Sequence, residues 1–393
     1  MLNPEITRDP NGILWLVLHP DKPYAGVRVY DKNNVPITRT FDLTKPIKLG
    51  AITKWEGSVA PYTLGAPEPV TYPVVIPPPP PPPPATSVPR AGISCGGSSL
   101  WRSDADMKFE LDQIRSVGAK VVRIDCDPQS SHIDATERFV KQVLARGMEA
   151  LIIIGGWIEP SEAMSDTAWR TLCATIRDRF VPLGVRLFET SNEPAAFGVY
   201  TPQSYARQAV IAYEEIHKAP NTLLGVGALA YPAGQNNEPK SMWVWAQGII
   251  PALGGKYDAF SWHPYNDPQD HGDWSAWDMA FGNSGHWSGN NNIVGLMKAN
   301  GGVKPFWATE CGDTVIGPNA KSLTYQANAV SHAITDPRVQ LSTVFTMMDD
   351  DVPGFGLLDG NKNQRPAWSA FKSAAATVSG FGTNPFGTER FGV

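Results

Sequence analysis

The chain has 393 residues, 42% of them hydrophobic and 18% charged, a globular composition that argues against wholesale disorder. A formal net charge of −5 and a pI near 5.8 exclude a global basic field for nucleic acid or an anionic membrane. Length alone predicts two to three domains at about 150 residues each, or fewer if one is a (β/α) barrel of about 250 residues. Proline is the anomaly: there are 36, eight of them consecutive.

The first residues, MLNPEITRDPNG, have no basic stretch leading into an apolar one, so no secretory leader is expected and synthesis in the cytoplasm is. No run approaches the roughly 18 apolar residues of a membrane span, so no membrane insertion is expected. Residues 1–60 read as a small N-terminal β module. ILWLVLH (13–19) and GVRVYD (26–31) are strand-like, and DPNG (9–12) and KNN (32–34) are turns. Residues 61–90 read as a linker. Its octaproline, Pro77–Pro84, imposes polyproline II, a semi-rigid spacer of roughly 25 Å.

Residues 91–380 alternate between apolar runs and helical patterns. The predicted strands are AGISC (91–95), AKVVRIDC (119–126), EALIIIG (149–155), VRLFETS (185–191), NTLLGVGA (221–228), YDAFSW (257–262), KPFWATE (304–310) and VQLSTVFTM (339–347). After the first strand, Ser103 with Asp106 marks a helix start, and Met107, Leu111 and Ile114 follow on one face. Trp169, Leu172, Cys173, Ile176 and Phe180 form another face. Thr201 caps a third helix with Pro202 at its first position, and Tyr205, Ala209, Ala212 and Ile216 continue it. Further helices fit near 240–250, 290–300, 320–335 and 366–378. Eight apolar strands alternating with helices over about 290 residues predict an α/β fold, a (β/α)8 TIM barrel. A doubly wound sheet would want a glycine-rich phosphate loop after the first strand, and ISCGGSS (93–99) does not match GxGxxG. Residues 381–393 are left as a C-terminal tail.

Barrel active sites lie at the C-terminal ends of the strands. There the second strand delivers Arg123, Asp125 and Asp127, and the third Trp157. The fourth delivers Asn192 and Glu193, the sixth His263 and Tyr265, the seventh Glu310 and Asp313, and the eighth Asp349, Asp350 and Asp351. One of Asp125 and Asp127 is expected to face the pocket; strand parity leaves open which. Glu193 and Glu310 stand on opposite parts of a closed ring. Paired carboxylates across a cleft are what glycosidic bond cleavage needs, one protonated to donate to the leaving oxygen and one ionised to attack the anomeric carbon. The Asp349–Asp351 run lacks a spaced ligand set, so a solvated loop or contacts to substrate hydroxyls are expected there rather than a cation site.

The motifs Asn192-Glu193-Pro194, His263-Pro264-Tyr265, Arg123 in the second strand and Glu310 ending the seventh resemble clan A of the glycoside hydrolases, the cellulase-like retaining barrels. The resemblance covers about 91–380. It implies Glu193 as general acid/base and Glu310 as nucleophile. It also implies Asn192 on the sugar 2-hydroxyl, Arg123 and Tyr265 on Glu310, and His263 lining the catalytic subsite, with no metal or organic cofactor. The chain departs from that clan in two places. Phe345-Thr346-Met347-Met348 stands where members commonly carry a tryptophan platform, and Gly155-Gly156-Trp157 where many present histidine.

Thirteen tryptophans add aromatic surface. The long segment 263–287 holds Trp274 and Trp277 among polar residues and is expected to wall a carbohydrate substrate, with Trp157 nearby. Trp169, Trp243 and Trp307 are expected in packing. Cys95, Cys126, Cys173 and Cys311 form no paired motif and are expected as free buried thiols. A docking-sized β module, a proline spacer and a sugar-acting barrel together look similar to bacteriophage tail or tail-tip proteins. That likeness implies homo-oligomer or tail partners through the N-terminal region and a bacterial cell-envelope glycan as substrate. The alternative to the tail context is a plain cytosolic or secreted enzyme, and the alternative to hydrolysis is an adhesion barrel that binds glycan with little turnover.

Overall fold

The structure is a computed structural model. It describes the strand backbones within residues 2–73, and residues 91–156, 164–195, 199–230, 240–265, 276–282, 291–317, 320–349 and 352–379. The octaproline and residues 381–393 lie outside the described residues. The chain divides into two units, Met1–Thr86 and Ser87–Val393.

The first unit is antiparallel β. Its strands are β1 (Leu2–Arg8), β2 (Leu14–Pro20), β3 (Gly26–Asp31), β4 (Pro36–Thr40), β5 (Ile47–Gly50), β6 (Gly57–Thr63), β7 (Ala66–Pro67) and β8 (Tyr72–Pro73). One sheet has the order β1-β2-β5. The other has the order β4-β3-β6-β7, with β8 also paired to β6.

The second unit is a closed parallel barrel. Its strands are β9 (Ala91–Ser94), β10 (Val121–Cys126), β11 (Glu149–Ile154), β12 (Leu187–Thr190), β13 (Leu223–Leu229), β14 (Ala259–Trp262), β15 (Phe306–Cys311) and β16 (Val339–Phe345), and β16 pairs back onto β9. Its helices are α1 (Asp104–Ser116), α2 (Ser130–Ala145), α3 (Asp166–Phe180), α4 (Pro202–Ile216), α5 (Lys240–Leu253), α6 (Ala276–Phe281), α7 (Ile293–Ala299), α8 (Leu323–Thr335) and α9 (Pro366–Ser379). This is the TIM barrel that the strand–helix alternation predicts. Between β14 and β15 there are two helices where the periodicity predicts one.

Local chemistry sets the helix starts. Ser103 accepts from the Asp106 backbone N–H at the head of α1. Thr201 and Ser204 form a reciprocal capping box with Pro202 at the first turn of α4. The strands carry two faces. On β10, Val122, Ile124 and Cys126 join the core beneath the helices, whereas Val121 joins the barrel interior. Val121, Leu151, Leu187, Ala259, Trp307 and Leu341 form the apolar floor of that interior. Trp307 is its largest member, and its indole N–H donates to Gln340 Oε1 at 2.9 Å. Gly225 gives the ring its space, because a Cβ there would come within 2.7 Å of Trp307 Cε3.

All four cysteines are buried outside any disulfide, and burial pushes the Cys126 thiol up to about 12. Among the described residues no helix is long and apolar enough to cross a membrane.

The floor sits beneath the polar mouth and supports it. Trp307→Ala is expected to cost about 3–5 kcal/mol, the range for emptying a buried large aromatic, read as a lower urea midpoint with an unchanged slope.

Candidate active site at the barrel mouth

One buried cation organises the polar layer above the floor. Arg123 has side-chain exposure of only 1%. Its Nε donates to Glu189 Oε2 at 2.6 Å. Nη1 donates to Ser94 Oγ at 3.0 Å and to Glu310 Oε1 at 2.5 Å. Nη2 donates to Asn192 Oδ1 at 2.8 Å and lies 3.5 Å from His263 Nε2. The guanidinium thus touches side chains from β9, β12, the turn after β12, the end of β14, and β15. Burial alone would favour loss of its proton, but the charges of Glu189, Glu310 and Asp125 outweigh that and keep it cationic.

Glu310 reaches this cluster through a break in strand alternation. Phe306 and Ala308 on β15 face the helix-side core and Trp307 faces the floor. Strict alternation would send Glu310 outward with the even-numbered residues. The β15–β16 register shifts between Ala308 and Cys311, and Glu310 turns into the mouth, while Cys311 stays in the helix-side core. Bulges of this kind re-aim side chains near active sites. Tyr265 O–H donates to the second Glu310 oxygen. Burial pushes the Glu310 carboxyl up. The neighbouring His263, the positive charge of Arg123 and the hydrogen bonds from Tyr265 and Arg123 outweigh it and hold the carboxyl below its ordinary range. Burial and the Glu310 charge push the Tyr265 hydroxyl well up, so it stays a donor.

Asn192 and Glu193 occupy a strained turn after β12. Ser191 and Glu193 have φ of 51° and 45°, the left-handed region that costs a non-glycine residue of order 1–3 kcal/mol. The Ser191 and Asn192 N–H groups anchor the turn by donating to the Ile154 and Gly156 carbonyls, each at 3.0 Å. His263, fully buried, places Nδ1 3.0 Å from Glu193 Oε1 and 3.7 Å from Glu310 Oε2. Glu193, His263 and Glu310 each offer one ligand atom, all within 4.8 Å of one another, and such a trio has the donors for a cation. Both Glu310 oxygens, however, are already engaged by Arg123 and Tyr265. The guanidinium supplies the positive charge that a metal would bring.

The mouth therefore gathers Arg123, Asn192, Glu193, His263, Tyr265 and Glu310 into one cluster. Trp157 and Trp274 lie outside the described residues. Trp277 is not on a substrate wall. It is 1% exposed on α6 and packs on Trp262, Phe281 and His332, so its faces are spent on the core outside the barrel. The expectation of a solvated loop at Asp349 is also corrected. Arg365 grips its carboxylate through both oxygens at 2.8 and 2.5 Å, and Gly354 and Gly356 donate their N–H groups to it. Asp350 and Asp351 are outside the described residues.

That clamp shapes the loop after β16 and carries Phe355, which meets Tyr265 and Phe345 edge-on at 5.7 and 5.8 Å. Sequence reasoning missed Phe355, which has no motif. It also missed Glu189, although a glutamate inside an apolar strand run is a signal for a buried partner of Arg123.

No family model matches the chain, and no curated protein matches it. Solved structures do match its fold. A GH5_18 protein from Streptomyces cattleya, in complex with GlcNAc, superposes with a TM-score of 0.54 at 14% identity, over 76% of this chain and 82% of that one. The exo-β-1,4-mannosidase Op5Man5 from Opitutaceae bacterium strain TAV5 gives 0.52 at 15% identity, over 73% of this chain and 59% of its own. A β-glucuronidase from an uncultured Clostridium sp. gives 0.51 at 11% identity, over 95% of this chain and 67% of its own. The chain thus spans well under two thirds of the mannosidase. At these identities the likeness defines the fold, a (β/α)8 barrel.

Arg123→Met would leave Glu189 and Glu310 buried without their cation and is expected to cost about 3–5 kcal/mol at neutral pH. Glu310 has a lowered folded-state pKa, so the stability it draws from its partners is present above the ordinary glutamate value and lost as pH falls through the folded one. The gap between wild type and Arg123→Met in urea unfolding should therefore narrow in acid.

Proposed function

We propose that the barrel is a retaining O-glycoside hydrolase acting on a polysaccharide, with Glu310 as nucleophile and Glu193 as acid/base. The observation that carries this reading is a pair of carboxylates whose nearest ligand atoms lie within 4.8 Å, one of them held anionic by a buried arginine and a tyrosine. That closeness supports the roughly 5–5.5 Å arrangement of retaining enzymes.

In the first step a Glu310 oxygen forms a bond to the anomeric carbon while the glycosidic bond breaks, and Glu193 gives its proton to the departing oxygen. In the second, Glu193 takes a proton from water, the water oxygen attacks the anomeric carbon, and Glu310 leaves as carboxylate. Arg123 and Tyr265 favour Glu310 as an anion, both as attacking and as leaving group. His263 holds Glu193 by its carboxylate, and Arg123 fixes the Asn192 amide beside the reacting sugar. The names of the matched structures, a mannosidase, a glucuronidase and a protein holding GlcNAc, support a carbohydrate substrate. An adhesion barrel without turnover draws less support now that Trp277 is a core residue.

The substrate we propose is a bacterial cell-envelope glycan, with the barrel carried on a bacteriophage tail through the β module and proline spacer. That context rests on the sequence features of residues 1–90.

On whichever polysaccharide a panel including bacterial cell walls shows to be cleaved, Glu193→Gln and Glu310→Gln are each expected to lower kcat by about 10²–10⁴-fold with folding intact. A mechanism-based fluorosugar should label Glu310 in the wild-type protein; a label elsewhere rejects the nucleophile assignment. Tyr265→Phe removes a hydrogen bond that favours the ionised form of Glu310. The acidic limb of its kcat/KM profile should accordingly move to higher pH.

A further inference from the structure

A third carboxyl stands beside the catalytic pair, and the scheme above does not use it. Asp125 lies two residues beyond Arg123 on β10, on the same inward-facing side and about 6.6 Å nearer the mouth. It pairs in register with Ile153 of β11. The chain leaving β11 passes it as bare backbone, since a Cβ on Gly156 would meet Asp125 Oδ1 at 2.2 Å. Glycine at 156 is therefore what leaves room for this carboxyl. Oδ1 is buried and has no hydrogen-bond partner among the described residues, whereas the residue as a whole keeps part of its surface open.

A buried carboxyl oxygen without a partner is costly and needs an explanation, and a ligand or a reaction that uses it is one. Cations nearby are already committed. Arg123 is shared among Ser94, Glu189, Asn192 and Glu310, and His132 sits 3.3 Å from Asp127. Burial pushes the Asp125 carboxyl up to about 7. Arg123 opposes this, and the charges of Asp127, Glu310 and Glu189 add to it. Near neutrality the group thus exists both as a hydrogen-bond donor and as an anion. Either form suits a sugar hydroxyl. Neither form offers a cation to a sugar carboxylate, which would meet Asp125, Asp127 and the catalytic pair as like charges.

On the glycosidase reading of this site, we propose that Asp125 binds a hydroxyl of the sugar in the catalytic cleft and makes the enzyme select neutral glycosides over uronides. The selection would set this chain apart from the β-glucuronidase whose fold it shares.

The test uses the full chain and matched aryl hexosides and aryl hexuronides of glucose, galactose and mannose, both anomers. Wild type should turn over a neutral member at least about tenfold faster in kcat/KM than its uronide, the scale of one hydrogen bond to a charged group. Asp125→Ala should lose about 10–100-fold in kcat/KM on the neutral sugar, mainly through KM. Asp125→Asn, nearly isosteric, should keep part of the binding and flatten the pH dependence of KM near neutrality. Preference for the uronide, or unchanged KM and pH profile in a folded Asp125→Asn, would overturn the proposal. If wild type cleaves neither class, and no glycan of the wider panel, the glycosidase reading falls and this one with it. If wild type cleaves, Glu310→Gln does not, and Asp125→Asn behaves as wild type, only the role of Asp125 falls.

Discussion

A guanidinium buried at the mouth of an eight-stranded barrel is the constraint on which the site depends. Water cannot solvate Arg123, so protein groups must, and each must come within hydrogen-bonding distance. Glu189 and Glu310 balance its charge, Ser94 and Asn192 take two more of its N–H groups, and His263 Nε2 lies 3.5 Å from Nη2. Because these partners sit on strands around much of the ring, satisfying one charge fixes the relative height and orientation of several. Glu310 gains an environment that favours its ionised form, and the asparagine beside Glu193 gains one orientation.

The backbone departs from regularity where these groups must be aimed. The register shift in β15 turns Glu310 inward, and left-handed residues on either side of Asn192 present Glu193. The supporting layers are apolar and buried. The apolar floor with Trp307 lies below, and the helix-side core receives Cys311 and Trp277. Strain at the mouth is tolerable because the packing beneath it is apolar and buried. On the β16 side, the Asp349–Arg365 clamp and the contact of Phe355 with Tyr265 build an aromatic wall where Phe345 stands at the strand end.

Much of this was legible in one dimension. Apolar runs of five to nine residues separated by helical faces and caps identify parallel strands and their crossovers, and they do so from local energetics alone. Arg123, Asn192, Glu193, His263, Tyr265 and Glu310 were legible as well, because a strand's C-terminal end is a position in sequence as much as in space. Trp277 was misread for an equally physical reason. A tryptophan among polar residues looks exposed until a short helix, α6, folds it onto Trp262. Asp349 looked solvated because its partner, Arg365, is sixteen residues away and on the far side of a loop.

The sequence by itself determined the barrel, the strand ends and the residue types available there, since these follow from periodicity and from short-range chemistry. Only the tertiary structure decided which of those groups meet. Parity along β10 could not choose between Asp125 and Asp127, and nothing in the sequence of β15 marks the register shift that turns Glu310 inward. The answer came from a register shift, from the missing side chain at Gly156 and from a buried charge. Each of these acts between segments far apart in the chain, where local propensity carries no information.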